Sequence, residues 1–506
     1  MTSKAATPVI LAVDQGTSGT TALLVDQKGT VLGRGYREIQ CVYPRPGWVE
    51  QDAEEIWQHS IDAIAEALGG VDGATVAAIG IANQRETTVL WDRQTGQPVA
   101  PAIVWQCRRT ASLCEHLRAE GLTDLVNERT GLVIDPYFSA TKIRWIFENI
   151  PGVAEKAGRG EICFGTVDSW LLWKLSGGVV HRTDFTNASR SMLFNIDERR
   201  WDETLLQVLR IPESILPEVG ASSSVHGITT TLPLPGGATL RSGMPIGGIA
   251  GDQQAALFGQ ACFAPGMVKC TYGTGAFLLL NVGDNAVRSR AGLLTTLACG
   301  PNAESVYALE GSVFIAGAAI QWLRDQLGLI RTAAESESLA RSIPENGGVY
   351  FVPAFVGLGA PYWDPEARGA IVGLTRGADR RHIVRAALEA IAYQTRDVVD
   401  AMAVDAGGQI HELRVDGGAA ANGFLDQFQA DVLGLPVVRP AMVETTGLGA
   451  AYLAGLAVGF WQSTDEIAKL WRLDRRFEPF IDDRQRSALY RGWRQAVASV
   501  TSAPSA

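Results

Sequence analysis

The chain has 506 residues, too many for one typical hydrophobic core, so we expect two large domains. Apolar residues make up 46% and charged residues 19%, which is typical of a folded protein and excludes a disordered one. The net charge of −10 argues against non-specific binding of nucleic acid, because such binding needs a basic face. No segment approaches the ~20 apolar residues that span a bilayer, and the apolar run 9–13 is too short for an export signal. We therefore expect a cytoplasmic protein without membrane insertion, whose seven unclustered cysteines are reduced.

The first part of the chain predicts alternating strands and helices. Segments 9–14, 21–26 and 31–38 have the composition of strands joined by tight turns, which predicts a β-meander. Segment 52–68 has helical periodicity with acidic residues in its first turn, and segment 76–82 is apolar enough for an interior strand. The alternation predicts an α/β fold.

A similar pattern returns in the second half, where segments 267–270 and 276–282 flank a turn. Two such units predict two domains of related design facing one another, 1–259 and 260–506, divided near a Pro-Gly turn. The Pro/Gly/Ser-rich stretch 212–245 predicts surface loops within the first domain. The stretch 450–461 is rich in Gly and Ala and predicts a buried helix.

The first predicted turn, 14–19, has the sequence Asp-Gln-Gly-Thr-Ser-Gly. It is neither a Walker A loop nor a dinucleotide fingerprint. A tight turn of this kind can direct several N–H groups and hydroxyls at one anion, and Asp14 at the strand end can hold Mg²⁺ through water. The alternative interpretation is an ordinary polar hairpin.

The segment 415–422 joins a predicted strand at 413–415 to a predicted helix at 420–433. Its Gly417-Gly418 pair can let a flat purine lie against bare backbone, with Asn422 in reach of the purine edge. The alternative is a connection that needs glycine only for its positive φ.

Three groups of residues are candidates for acid–base catalysis or for binding a polyol. Asp252 follows an apolar strand and opens a helix, so it can be a general base or simply an N-cap. Arg85 and Glu86 follow a buried strand and can bind the hydroxyls of a polyol or form a surface ion pair. Three aromatic residues can face the carbon side of a small polyol or belong to the core: Trp105, Tyr137 and Phe277.

Together these segments resemble the FGGY family of carbohydrate kinases and, within it, the glycerol kinases. Segments 137–149 and 369–389 match the signature patterns of the family. The glycerol-specific stretches are 83–88, 103–109, 131–139, 251–259, 272–277 and 357–364. The similarity runs from about residue 9 to about residue 493, nearly the whole chain.

The resemblance implies two actin/hexokinase-like (ribonuclease H-like) domains flanking a central catalytic cleft that closes by domain rotation. It implies phosphorylation of glycerol by ATP to sn-glycerol 3-phosphate and ADP, in glycerol uptake and catabolism. The transfer would be direct and in-line, with Asp252 as general base. A homodimer or homotetramer is also implied.

The resemblance further implies roles for individual residues. Asp14 and Asp252 would place Mg²⁺. The residues that would bind glycerol are Arg85, Glu86, Trp105, Tyr137, Asp252, Gln253 and Phe277. The residues that would hold ATP are Thr17, Ser18 and Gly19 from the first domain, and Thr274, Gly317, Gln321, Gly418 and Asn422 from the second.

Three segments depart from the family pattern. Thr20-Thr21 stands where many members have an arginine that contacts phosphate. Segment 234–241 lacks the lysine of the loop that binds fructose 1,6-bisphosphate in some members, so we do not expect that inhibitor to act there. Segment 475–482 only partly resembles the loop that binds a sugar-transport phosphocarrier protein, so that partner is not assigned. The competing hypotheses are a kinase for another polyol or ketose, such as erythritol or xylulose, and a non-catalytic nucleotide-binding protein.

Overall fold

Two β-sheets organise the chain in the computed structural model, which describes residues 7–300, 306–408 and 410–501. The first sheet has six strands: β1 (Thr7–Gly16), β2 (Gly19–Val25), β3 (Val31–Glu38), β4 (Ala74–Asn83), β5 (Ser223–Ile228) and β6 (Pro245–Gly251). Their order across the sheet is β5–β6–β4–β1–β2–β3. Strands β1 to β3 form the predicted antiparallel meander, and β4 is the predicted interior strand.

The second sheet has seven strands: β7 (Val268–Tyr272), β8 (Ala276–Gly283), β9 (Leu294–Ala298), β10 (Val306–Val313), β11 (Leu413–Asp416), β12 (Val437–Pro440) and β13 (Leu473–Phe477). Their order is β9–β10–β8–β7–β11–β12–β13. Apart from the added β9, the order and directions repeat those of the first sheet, since β7 pairs antiparallel with β8 and parallel with β11. The predicted two domains of related α/β design are confirmed.

The helices of the first half are α1 (Ala53–Gly69), α2 (Ala111–Ala119), α3 (Thr123–Thr130), α4 (Ser139–Asn149), α5 (Val153–Gly158), α6 (Val167–Leu175), α7 (Phe185–Ala188), α8 (Glu203–Leu209) and α9 (Asp252–Gly259). Those of the second half are α10 (Gly317–Asp325), α11 (Glu335–Arg341), α12 (Arg380–Ala406), α13 (Gly423–Leu433), α14 (Thr445–Ala457), α15 (Thr464–Ala468) and α16 (Asp483–Ala498). Short strand pairs are Glu50–Gln51 with Ala102–Ile103, Val89–Asp92 with Ile162–Gly165, Arg182–Asp184 with Glu218–Gly220, Phe194–Asn195 with Arg200–Trp201, Leu232–Pro233 with Thr239–Leu240, and Tyr350–Val352 with Ala370–Val372.

The first sheet is covered on both faces, as its nearly continuous apolar strands require. Alternate residues of β1 enter different cores: Leu11 packs with α1 and α6, whereas Ala12 packs with α9 and α14. Helix α14 therefore returns from the C-terminal part of the chain to the first sheet. It lies so close that a Cβ at Gly80 would come within 2.1 Å of the carbonyl oxygen of Ala450.

Local predictions are mostly confirmed, with three corrections. The stretch 212–245 is not only loops, because β5 forms the edge of the first sheet by pairing with β6. The helix predicted from residue 420 begins at Gly423, because Asn422 caps it and residues Gly418–Ala421 form a 3₁₀ turn. The buried helix predicted at 450–461 runs over Thr445–Ala457.

All seven cysteines are free thiols, and six of them are buried. In the part of the chain that the structure describes, no helix has the length and apolar character needed to cross a membrane.

Candidate active site

The predicted site residues Asp14, Arg85 and Asp252 lie at the carboxyl ends of the three parallel strands β1, β4 and β6. Asp14 in β1 and Ala250 in β6 both lie opposite Ala82 in β4, so the carboxyl ends of these strands lie side by side. This register brings Arg85, just after β4, next to Asp252, just after β6, with 3.2 Å between Arg85 Nε and Asp252 Oδ1. The arrangement arises because parallel strands in register end at the same edge.

Asp252 is the first residue of α9, and its side chain accepts only from the N–H of the next residue, Gln253, at 2.7 Å. The N-cap position belongs to Gly251, without a side-chain hydrogen bond, so the N-cap interpretation of Asp252 is wrong. The Asp252 side chain keeps 26% of its surface exposed while it contacts buried Arg85. A half-buried carboxylate at a cleft remains able to accept a proton from a bound molecule.

Asp14 lies close enough to Asp252 for their negative charges to interact. Burial, together with the charges of Asp252 and Glu444, raises the pKa of Asp14 well above its usual range. A cation would relieve this repulsion, and Mg²⁺ is commonly held by one or two carboxylates together with water and substrate phosphates. Among the described residues, no group of three or more His, Cys, Asp or Glu side chains is arranged to hold a metal. The two aspartates therefore fit an Mg²⁺ ion whose remaining ligands are phosphate and water.

The three predicted phosphate-binding residues are Thr17 and Ser18, in the turn between β1 and β2, and Gly19, the first residue of β2. Ser18 is exposed, whereas Thr17 is partly buried and accepts hydrogen bonds from two neighbouring side chains. The Gln51 amide donates to the Thr17 carbonyl oxygen at 2.8 Å, and Trp105 Nε1 donates to Thr17 Oγ1 at 2.8 Å. These contacts fix the turn, leaving backbone N–H groups available to an anion.

Arg85 and Glu86 belong to a buried group of charges that spans both halves of the chain. Arg85 Nη2 donates to Glu310 Oε1 at 2.9 Å, and Arg85 Nη1 donates to the other carboxylate oxygen of Glu310. Arg190 Nε donates to Glu86 Oε1 at 2.6 Å, and its Nη2 donates to Glu310 Oε1 at 3.1 Å. Neither Arg190 nor Glu310 is among the residues predicted from sequence. Arg85 and Glu86 are themselves buried, which excludes the surface ion pair that was the alternative interpretation for them.

Glu86 has a positive φ of 59°, which is unfavourable for a residue with a Cβ. Its carbonyl oxygen accepts hydrogen bonds from Thr88 Oγ1, Ser139 Oγ and Lys142 Nζ, each at 3.1 Å. Lys142 also donates to the Tyr137 carbonyl oxygen at 2.6 Å, and burial lowers its pKa to about 7. The lysine of the first family signature therefore ties together two predicted glycerol-binding residues.

The three predicted aromatic residues meet beside this group. The ring of Trp105 lies 5.5 Å from that of Tyr137 and 6.1 Å from that of Phe277, both edge to face. All three residues are partly buried, and Trp105 and Tyr137 also pack against the core that contains Val104 and Phe138, so each ring combines a core contact or ring contact with a remaining accessible surface. Gln253 lies at the same end of the cleft and accepts a hydrogen bond from Lys269 of β7.

The residues predicted to hold the nucleotide surround the turn between β7 and β8. Thr274 and Gly418 are exposed there. The N–H of Gly317, at the start of α10, donates to the Gly273 carbonyl oxygen at 3.0 Å, and Gln321 is exposed on the same helix. Gly417 has a φ of 84°, and a Cβ there would lie 2.5 Å from the Tyr272 carbonyl oxygen, so this position requires glycine.

Asn422 differs from its predicted use. Its side-chain oxygen caps α13 by accepting from the N–H groups of Phe424 and Leu425, each at 3.1 Å. Its amide nitrogen donates to Ser336 Oγ at 3.2 Å. In this arrangement both ends of the side chain have protein partners, so Asn422 supports the loop beside the predicted purine position.

A sequence signal exists for two of the residues that were missed. Glu310 is the single charged residue of the apolar strand Val306–Val313, and Lys269 is the single charged residue of Val268–Tyr272. A charge in an interior strand needs a buried partner, which commonly lies at a functional site.

Comparison with known proteins identifies the family of this chain. The model of the FGGY family of carbohydrate kinases, N-terminal domain, matches residues 9–259, and that of the C-terminal domain matches residues 268–458. "Glycerol kinase 2" of Thermotoga maritima is 58% identical over 97% of this chain and 98% of its own length. The structure of Plasmodium falciparum glycerol kinase with ADP superimposes with a TM-score of 0.92 at 37% identity, covering 99% of each chain. A xylulose kinase from Lactobacillus acidophilus shares the fold, with a TM-score of 0.85 at 22% identity over 98% of this chain and 99% of its own. Because both family models match in order and together cover most of its length, this chain belongs to the FGGY family of carbohydrate kinases.

Proposed function

We propose that this protein phosphorylates glycerol with ATP, forming sn-glycerol 3-phosphate and ADP. The observation that carries the proposal is the contact of Arg85 Nε with Asp252 Oδ1, 3.2 Å long, at the strand edge that also holds Asp14. Relatives named glycerol kinase, 58% identical over nearly the whole chain, support glycerol as the acceptor. Such an enzyme serves glycerol uptake and catabolism.

In this mechanism Asp252 accepts the proton of a terminal hydroxyl of glycerol. The freed oxygen attacks the γ-phosphorus of ATP in line, the bond from that phosphorus to the β,γ-bridging oxygen breaks, and ADP leaves. Arg85 orients the Asp252 carboxylate through the contact at its Nε. Glu86, Tyr137 and Gln253 bind the hydroxyls.

The remaining predicted residues orient the carbon chain and the nucleotide. Trp105 and Phe277 contact the carbon atoms of glycerol with their partly buried rings. The turn that holds Thr17, Ser18 and Gly19 binds phosphate oxygens through N–H groups and hydroxyls. Residues Thr274, Gly317, Gln321 and Gly418 hold the nucleotide from the second half of the chain, and Asn422 acts there by supporting the loop that contains Gly418. Asp14 and Asp252 would hold Mg²⁺, which would supply positive charge to neutralise the phosphates.

The proposal also includes a division into domains at residues 259 and 260, with α14 remaining packed on the first sheet and rotation of the two sheets relative to each other closing the cleft. Closure would keep water from the γ-phosphate, since water competes with glycerol as the acceptor. The protein acts in the cytoplasm as a homodimer or homotetramer.

The test is ADP release by the purified protein with Mg-ATP and different acceptors. Glycerol is compared with erythritol, xylulose, ribulose, gluconate and no acceptor. The proposal requires a strong preference for glycerol, with glycerol 3-phosphate as the product. Preference for another polyol leaves a kinase but refutes glycerol as its substrate. A folded, ATP-binding protein without acceptor-dependent turnover favours the non-catalytic hypothesis.

A further inference from the structure

A cluster of five charged residues crosses the cleft where glycerol is proposed to bind. Arg85, Glu86, Arg190 and Asp252 come from the first half of the chain, whereas Glu310 comes from β10 of the second sheet. Glu310 and Arg190 have no exposed side-chain surface, and Arg85 keeps only 2%. We name these five residues the charge cluster.

Glu310 determines how Arg85 is presented to a ligand. Its two carboxylate oxygens accept from Nη1 and Nη2 of Arg85, and Asp252 takes the Nε side at 3.2 Å. Each nitrogen of Arg85 therefore already faces a carboxylate. The second hydrogen of Nη1 goes to Gln254 Oε1 at 3.2 Å, and the second hydrogen of Nη2 reaches only the Tyr137 hydroxyl, at 3.5 Å. The guanidinium therefore has no free edge for a second bidentate carboxylate or phosphate, but the weakly held Nη2 hydrogen can donate to a neutral hydroxyl.

The charges around Arg85 also favour a neutral ligand over an anionic one. Two guanidinium groups face three carboxylates in the charge cluster, and the further cation that acts on Glu310 is buried Lys269, whose pKa burial lowers. Burial favours the neutral form of Glu310, but Arg190 and Arg85 outweigh burial, so the pKa of Glu310 is lowered and it stays ionised. An anionic ligand entering here meets repulsion in a region of low dielectric, whereas an uncharged polyol does not.

We propose that Glu310 is a positioning residue for glycerol that also makes the site select uncharged acceptors over carboxylated ones. It does so by orienting Arg85 from the opposite half of the chain and by neutralising its charge. This inference rests on the proposed function and extends it to substrate selection.

The test uses glycerate, which carries a carboxylate in place of one terminal alcohol of glycerol. Glu310→Gln removes one negative charge and leaves a single acceptor oxygen for Arg85. We expect the KM for glycerol to rise about tenfold or more while the KM for ATP changes by about twofold at most. The inhibition constant of glycerate against glycerol should fall about tenfold, because Arg85 then has an edge to offer a carboxylate.

Two further variants separate positioning and charge from folding. Glu310→Asp keeps the charge but shortens the reach, so the KM for glycerol should rise while glycerate inhibition stays at its wild-type level. Glu389→Gln is the matched control, because Glu389 is another buried glutamate of the second half, paired with Arg385 at 2.7 Å. It should leave both the KM for glycerol and the inhibition by glycerate unchanged.

Several results would overturn the inference. They are a wild-type KM for glycerol in Glu310→Gln, unchanged glycerate inhibition in that variant, or a wild-type protein that binds glycerate as tightly as glycerol. Should Glu310→Gln fail to fold, a wild-type KM in Glu310→Asp overturns the positioning role. A wild-type enzyme that prefers another uncharged acceptor refutes the proposed function alone, and the same variants then test Glu310 with that acceptor and its carboxylated analogue.

Discussion

The replacement Asp252→Asn separates the proposed base from the binding of glycerol. Asp252 Oδ1 forms an ion pair with Arg85 Nε at 3.2 Å and accepts a hydrogen bond from the Gln253 N–H at 2.7 Å. An asparagine carbonyl oxygen can occupy the same place, keep the hydrogen bond from Gln253 and still face Arg85, so the affinity for glycerol should change only a few-fold. What asparagine cannot do is accept the hydroxyl proton. Loss of a positioned base lowers kcat about 10²- to 10⁴-fold, which corresponds to about 3 to 5 kcal/mol of transition-state stabilisation.

The assay is ADP release at saturating Mg-ATP for kcat, with calorimetric titration of glycerol for affinity. Asp482→Asn is the control, because Asp482 caps α16 by accepting from the Gln485 N–H at 2.7 Å and asparagine caps equally well. A kcat for Asp252→Asn within about threefold of wild type would refute the base role. Normal turnover combined with loss of glycerol binding would assign Asp252 to binding alone.

Three further changes test neighbouring parts of the structure. Arg85→Ala should raise the KM for glycerol about 10- to 100-fold, because a charge-assisted hydrogen bond is lost, and an equal rise for ATP in the same kinetic assay would contradict a glycerol-side role. Lys142→Met should raise the KM for glycerol about five- to tenfold, because the carbonyl of Glu86 loses a buried donor, and an unchanged KM would show that Lys142 serves folding only. Burial and Arg182 lower the pKa of His226 to about 4, below the ~6.5 of an unfolded histidine, so only the unfolded chain binds a proton between these values. The free energy of unfolding should therefore fall by about 3 kcal/mol from this residue as the pH drops from 6.5 to 4, and urea denaturation of His226→Gln should lack that part of the fall.

The local sequence pattern was sufficient to predict much of the fold and the polar residues at the ends of the strands. Apolar runs located β1, β4 and β6, and the polar residues that follow them placed Asp14, Arg85 and Asp252 as candidates. These features depend on neighbours in the sequence, because hydrophobic periodicity and turn composition act over a few residues. The resemblance to a known family then supplied the reaction.

Tertiary structure decided which distant residues meet. Arg85 and Glu310 are 225 residues apart, and Glu310 occupies an apolar strand whose composition predicts burial but does not identify a partner. Helix α14 likewise returns to the first sheet because Gly80 permits its close approach, and no local pattern reveals which sheet a buried helix will cover. The physical reason is that the sequence pattern specifies how much of a segment is buried. Which other segments it packs against is decided by sheet register and layer packing.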